Sequence, residues 1–219
     1  MNNFKAVIFD KDGVIVNTES IHNKVFNNFC TEHGWTITKE EYEELMGMTS
    51  TEKFIRLKQR FDFKDNITAL VDSFQYRYID VIASSKELKP IEGVDILIKN
   101  LHKQGIKLAV ASSATRKKIE LVLDRFDLTK YFHATVSGYE VEKSKPAPDI
   151  FLKAAEKLVA APEECIVIED SANGVAAAKA ANMYCIGYQN PLEHQDLSKA
   201  DIVIKHFSDL LNSNLFGGV

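Results

Sequence analysis

The chain carries little that could build a disulfide framework or a zinc site. Its three cysteines, Cys30, Cys165 and Cys185, stand far apart with no Cys-x-x-Cys pair, and its six histidines form no His-x-x-x-His pair. Isolated thiols in a chain of this length are those of a protein from a reducing cytoplasm. Any metal would then fall to oxygen ligands, which favours a hard cation such as magnesium. Positive charge is not in excess: 27 Lys and Arg against 31 Asp and Glu give a net charge of −4. With a pI near 5.9, the chain lacks the basic field of a nucleic-acid binder. Long apolar runs are missing too, none approaching the roughly 18 residues needed to span a bilayer. The first run, AVIF, is too short for the core of a signal peptide, and Asp10 and Asp12 follow at once. Neither a membrane nor a nucleic acid is expected as partner.

What is present is the makings of a core. Of 219 residues, 45% are hydrophobic and 26% charged, as in a soluble domain, or in a domain carrying a smaller insertion. Short β-rich runs recur at 5–9 (KAVIF), 107–112 (KLAVAS), 134–137 (ATVS), 165–169 (CIVIE), 184–188 (YCIGY) and 201–205 (DIVIK). Most are almost continuously apolar, as in parallel strands covered on both faces. Helical patterns lie between them, at 94–105, 116–126 and 149–159. The alternation predicts an α/β fold, a Rossmann-like doubly wound parallel sheet. From about residue 17 to 88 the rhythm breaks, leaving amphipathic segments at 40–47, 51–61 and 67–83. A four-helix insertion after the first strand accounts for this, with a core of 1–16 and 86–219 and an inserted domain of 17–85. The sequence shows no internal repeat and no low-complexity segment.

The polar residues with chemical potential end the predicted strands. Asp10 and Asp12 follow KAVIF, Ser112 and Ser113 follow KLAVA, Glu169 and Asp170 end CIVI, and Lys145 lies in the loop after ATVS. In open α/β sheets that edge binds ligands. Residues i and i+2 of an extended segment point the same way, so Asp10 and Asp12 can address one pocket. Two carboxylates so close would force a proton onto one of them. A divalent cation held by Asp10 and Asp170 lets Asp10 stay ionised and attack phosphorus, giving an aspartyl-phosphate. Asp12 can then protonate the leaving oxygen and later deprotonate water. Lys145, the Ser112 hydroxyl and nearby backbone N–H groups would neutralise and hold the phosphoryl oxygens.

Each residue also has a plainer reading. Asp-x-Asp-Gly can be a turn, with Gly13 permitting it. Lys145 can be a solvated loop residue ahead of a helix begun by Pro148. Asp170 and Ser171 suit the N-cap of the Ala-rich segment ANGVAAAKAA, and Ser112 and Ser113 suit that of the helix after them. The plain readings leave unexplained why all of them fall at strand ends in this chain order.

Taken together, FDKDGVIVNTE, ASSA, SKPAPD and IEDSANG resemble the four motifs of the haloacid dehalogenase superfamily. Within it the likeness is to the phosphatases and phosphomutases whose helical cap is inserted after the first motif. The resemblance implies Asp10 as nucleophile, Asp12 as general acid/base, and Ser112 and Lys145 as phosphoryl ligands. It further implies magnesium held by Asp10, the backbone carbonyl of Asp12, and Asp170, with Glu169 as a ligand or supporting partner. An aspartate at position 12 favours phosphate esters over the family's dehalogenation and phosphonate chemistry. Ser113, Gly47, Thr18 and His22 are implied on the substrate side, the last two resembling a Thr and His that β-phosphoglucomutase uses in cap closure. That mutase carries a lysine and an arginine around its cap-loop glycine. Met46 and Ser50 stand there in this chain, with Arg56 or Arg77 as the nearest replacements. Asn17 stands where the family commonly has aspartate, at the expected junction of core and cap. The expectation is a cytoplasmic, monomeric, magnesium-dependent phosphatase acting on a small phosphorylated metabolite, plausibly a sugar phosphate. The alternatives are a phosphomutase of the β-phosphoglucomutase type and, from another class, a phospho-acceptor signalling domain.

Overall fold

A computed structural model of the protein describes residues 4–45, 50–192, 195–211 and 213–216. In chain order its elements are β1 (Ala6–Phe9), α1 (Glu19–Glu32), α2 (Lys39–Leu45), α3 (Ser50–Phe61), α4 (Ile67–Ser84), α5 (Val94–Lys103), β2 (Lys107–Ser112) and α6 (Arg116–Arg125). There follow β3 (Ala134–Ser137), α7 (Asp149–Leu158), β4 (Cys165–Glu169), α8 (Ala172–Ala180), β5 (Tyr184–Tyr188), β6 (Ile202–Ile204) and α9 (Ser208–Leu211). The chain divides into two compact units, Met1–Asn17 with Leu88–Val219, and Thr18–Glu87.

The first unit is an α/β layer structure. Its strands pair in the order β3-β2-β1-β4-β5-β6, and every pairing is parallel. The apolar runs are continuous because both faces of the sheet are covered: every residue of β1 and β4 is buried. Successive side chains point to opposite faces, so Ala6 and Ile8 join Ala109, Val136, Phe151 and Val167 in one cluster. The helices α7 and α8 lie against this sheet, α7 on β1, β2 and β3, α8 on β4 and β5, while α5 packs on β2. Each fully buried Ile, Leu or Phe there contributes about 1.5–3 kcal/mol relative to exposure. Register aligns Phe9 with Val110 on one side and Ile168 on the other. The residues that follow these strands therefore emerge side by side. Strand order reverses between β1 and β4, which is the switch point where such sheets form a crevice.

The second unit is helical, with α1 and α3 both packed against α4. Its centre is aromatic: Phe26, Phe29, Phe54 and Phe74 are fully buried. Apart from the tilted Phe26–Phe54 pair at 6.0 Å, their ring centroids are 5.5–5.9 Å apart with steep interplanar angles, the edge-to-face geometry that adds about 0.5–1.5 kcal/mol per pair beyond burial. Asn66 starts α4 by accepting the Ala69 N–H at 3.1 Å, a capping bond worth about 1 kcal/mol. Among the described residues no helix is long and apolar enough to cross a membrane.

Candidate active site

Asp10 leaves β1 still tied to the sheet, its N–H donating to the Ile168 carbonyl at 3.0 Å. The Lys145 ammonium donates to Asp10 Oδ1 at 2.5 Å, to Glu169 Oε1 at 2.6 Å and to the Ala111 carbonyl at 3.4 Å. These contacts gather groups from β1, β2, β4 and the loop after β3, and use all three ammonium protons. The Lys145 side chain is only 8% exposed. Burial, with Glu169 and Asp12 adding to it and Lys145 opposing it, raises the Asp10 carboxyl to about 7. Burial disfavours the charged form of Lys145, but Asp10 and Glu169 outweigh it and hold the ammonium above its ordinary range.

Glu169 is engaged at both of its oxygens. Besides Lys145 at Oε1, its Oε2 accepts from the Asp170 N–H, the Ser171 N–H and the Ser171 hydroxyl, at 3.0, 3.0 and 2.9 Å. Ser171 Oγ in turn accepts the Gly174 N–H at 3.0 Å and caps α8, so the N-cap reading of Ser171 and its contact with the site hold together. The carboxylate lies so close to α8 that a Cβ on Gly174 would fall 1.8 Å from Oε1. Asp170 is equally confined on its own side. Gly13, at φ +80°, brings its Cα against the Asp170 carboxylate, where a Cβ would lie 1.7 Å from Oδ2. Glycine is thus required at position 13 by conformation and by space.

Asp12 is the open member of the pair, its side chain 43% exposed, with Lys11 Nζ at 2.5 Å from Oδ1. Ser112 ends β2, buried, its Oγ accepting the Ala114 N–H at 3.1 Å, while Ser113 is exposed beside it. Gly138, just after β3, makes room there, since a Cβ would meet Ser113 Cα at 3.0 Å. Asp10, Asp12, Lys145, Glu169, Asp170, Ser112 and Ser113 therefore all occur at the C-terminal edge of the sheet.

The remaining predicted residues belong to the helical unit or lie outside the described residues. Thr18 precedes α1 without a side-chain capping bond. His22 Nδ1 lies 3.0 Å from the Tyr42 hydroxyl, which donates to Glu19 Oε1 at 2.8 Å. The imidazole also packs against Phe74 and Tyr78, with centroids at 5.4 and 5.3 Å. Met46 and Gly47 fall outside the described residues. Ser50 opens α3 and accepts from Gln75 Nε2 at 2.6 Å. Arg56 pairs with Glu44, and Arg77 with Glu32.

Two residues at this edge escaped sequence reasoning. Lys11 stands between the aspartates with its side chain 3% exposed; a lysine flanked by two aspartates just past an apolar run was the available signal. Asn190, in the loop after β5, is buried and donates to the Gly13 carbonyl at 3.3 Å, and no local pattern marks it.

Four carboxylates (Asp10, Asp12, Glu169, Asp170) meet two ammonium groups (Lys11, Lys145) at this edge. The surplus of negative charge and the raised Asp10 carboxyl fit a divalent cation. Among the described residues no three metal-ligating side chains converge. Magnesium does not require that, since it commonly takes one or two carboxylates together with water and substrate phosphate.

Comparison with known proteins agrees with this geometry. The model of the haloacid dehalogenase-like hydrolase family matches residues 7–188. The phosphorylated carbohydrates phosphatase of Thermotoga maritima is 33% identical over 181 residues, covering 82% of each chain. Protein SUPPRESSOR OF QUENCHING 1, chloroplastic, of Arabidopsis thaliana is 37% identical over 200 residues, but the chain spans only 19% of that longer protein. The crystal structure of CbbY from Rhodobacter sphaeroides in complex with phosphate superposes with a TM-score of 0.83 at 28% identity, over 94% of this chain and 96% of that one. With strand-end carboxylates, a buried lysine and a family match across most of its length, the chain belongs to the haloacid dehalogenase-like hydrolases and is an enzyme of their phosphatase group.

Proposed function

We propose that the protein is a magnesium-dependent phosphatase that hydrolyses a small phosphorylated carbohydrate through an aspartyl-phosphate on Asp10. The observation that carries this reading is the Lys145 ammonium, buried between the Asp10 and Glu169 carboxylates at the edge of the sheet. The substrate class follows the activity for which the Thermotoga relative is named and the phosphate bound in the CbbY structure. The reading takes the enzyme as a cytoplasmic monomer; its three cysteines are buried free thiols, as suits a reducing compartment.

Magnesium would be held by Asp10, the Asp12 carbonyl and Asp170, and when bound supplies positive charge beside the phosphoryl oxygens. Ser112 Oγ and the backbone N–H groups after β2 hold those oxygens, and Lys145 neutralises them as charge develops. Glu169, with both oxygens engaged, acts by fixing Lys145 rather than by binding metal. An Asp10 carboxylate oxygen forms a bond to phosphorus as the ester P–O bond breaks, and Asp12 gives its proton to the departing oxygen. Water then attacks the aspartyl-phosphate, surrendering a proton to Asp12, and inorganic phosphate leaves with Asp10 restored. Ser113, Thr18, His22 and Gly47 stay assigned to substrate binding on the family resemblance.

The test is release of inorganic phosphate from a panel of sugar phosphates with and without magnesium. The panel includes β-glucose 1-phosphate with glucose 1,6-bisphosphate as primer, followed for glucose 6-phosphate. Magnesium-dependent phosphate release is expected. Glucose 6-phosphate without free phosphate would make the enzyme a mutase, and a label that stays on the protein without turnover would make it a phospho-acceptor.

A further inference from the structure

Beyond the groups that would touch substrate, one buried amide ties this site together. Asn190 is 2% exposed and belongs to the loop after β5, which supplies none of the residues assigned above. Its Nδ2 donates to the Gly13 carbonyl at 3.3 Å. Its Oδ1 accepts from the Leu192 N–H at 3.0 Å and from Asn17 Nδ2 at 3.4 Å. Its own N–H is held by the Tyr188 carbonyl at 2.9 Å. One residue thus joins the end of β5 by its backbone and, by its side chain, the turn after Asp12 and Asn17, the last residue of the α/β unit before the chain enters the helical unit.

Gly13 is the point of leverage. Its N–H donates to the Val16 carbonyl at 2.7 Å, and its Cα rests against the Asp170 carboxylate. The Ile15 and Val16 N–H groups, both donating to the Lys11 carbonyl, close the same turn, and the Gly13 carbonyl accepts from Asn190. Asp12 is 43% exposed at its side chain and is met there by Lys11 Nζ, so its placement depends on that ion pair and on the backbone turn that carries it. A buried amide that met only water-accessible partners would stabilise little; this one has both of its functional groups engaged.

We propose that Asn190 is a positioning residue of the phosphoryl-transfer site, holding the Asp12–Gly13 turn so that Asp12 meets the leaving oxygen. The inference rests on the role proposed above for Asp12. Asn190 touches neither substrate nor reacting atoms; it acts through the Gly13 carbonyl. Loss of that bond displaces the acid/base group, and to a lesser extent the adjoining Asp12 carbonyl, while leaving Asp10, Lys145 and Glu169 in place. Errors of about 1 Å in such a group cost about ten- to a hundredfold in rate.

The consequence depends on the leaving group, and this separates positioning from a general structural role. β-Glycerol phosphate releases an alkoxide that needs the Asp12 proton, whereas p-nitrophenyl phosphate releases a phenolate that departs without one. Two variants of the full-length protein are compared with wild type by kcat/KM, which reports steps through formation of the aspartyl-phosphate. Asn190→Asp keeps an oxygen for Leu192 and Asn17 but loses the donor to Gly13; Asn190→Ala loses both. Each is expected to lose about ten- to a hundredfold on β-glycerol phosphate and at least fivefold less than that on p-nitrophenyl phosphate. Equal losses on both substrates, or none on either, in the folded Asn190→Asp protein would overturn the inference. Lack of magnesium-dependent turnover by the wild type on both substrates and on the sugar-phosphate panel would instead overturn the proposed function.

Discussion

Replacing Gly174 by alanine should destabilise the protein, reversing the sign that this change has in most helices. Gly174 lies in the first turn of α8, and alanine in a helix ordinarily gains up to about 1 kcal/mol over glycine. Here the added Cβ would sit 1.8 Å from Glu169 Oε1 and 2.3 Å from Oε2, where real contacts stay beyond 3.0 Å. The carboxylate must retreat by roughly 1 Å or more, further than its bonds to Lys145, Asp170, Ser171 N–H and Ser171 Oγ can stretch. Hydrogen bonds to charged groups contribute about 1.5–3 kcal/mol each. Losing one or two, offset by about 1 kcal/mol of helix propensity, leaves a net cost of about 0.5–5 kcal/mol. With a urea m-value of about 2–3 kcal/mol/M, the midpoint of the α/β unit should fall by about 0.2–2.5 M. The assay is urea unfolding of wild type and Gly174→Ala in EDTA, followed by turnover in magnesium. Turnover should fall as well, because Glu169 fixes the lysine that faces Asp10. An unchanged or raised midpoint would refute the claim that Glu169 and α8 are in obligatory contact.

Two other perturbations probe buried charge. Asp10→Asn should abolish turnover and also change how stability depends on pH. Burial holds the Asp10 carboxyl at about 7 against 3.8 for the free group, despite the opposing pull of Lys145. The folded chain therefore binds this proton more tightly, and the associated stability, full below about pH 4, is lost as pH rises through 7. In metal-free urea titrations the advantage of Asp10→Asn over wild type should grow by about 1–4 kcal/mol between pH 4 and 8; a constant difference would contradict it. Lys53, in the helical unit, is 4% exposed, with its ammonium 5.5 Å from the ring centroids of both Phe26 and Tyr42. Burial lowers its pKa, and Glu19 pulls it partly back. Lys53→Met keeps the packed stem and removes the buried charge, so Tm should rise by about 2–4 °C. A fall of that size would mean that the cation–π contacts outweigh desolvation.

The parts of this protein that could be read along the chain are those with a local cause. ATVS at 134–137 is β3 to the residue, and CIVIE is β4, because continuous apolar runs have no other way to lie in a sheet covered on both faces. KAVIF and DIVIK each begin a residue early, since Lys5 and Asp201 flank strands that start at Ala6 and Ile202. Segments 51–61 and 67–83 nearly coincide with α3 (Ser50–Phe61) and α4 (Ile67–Ser84); in α4 the buried residues Leu70, Phe74, Tyr78 and Ile82 recur every fourth position along one face. The polar strand ends were legible for the same reason, each being the point where an apolar run stops.

What the pattern could not convey is which atom meets which. Lys145 reaches Asp10 across 135 residues of sequence, and Asn190 reaches Gly13 across 177; no periodicity encodes such pairings. Glu169 looked equally suited to bind metal or to support another residue, and no sequence pattern shows that its two oxygens accept from Lys145, Asp170 and Ser171. Sequence by itself determined the strands, the helices, the inserted segment and the edge at which chemistry must lie, because these depend on hydrophobic periodicity and chain order. The parallel pairing of β1 between β2 and β4 decided the rest, by bringing carboxylates and an ammonium from distant segments into a buried edge where desolvation and proximity set their charge.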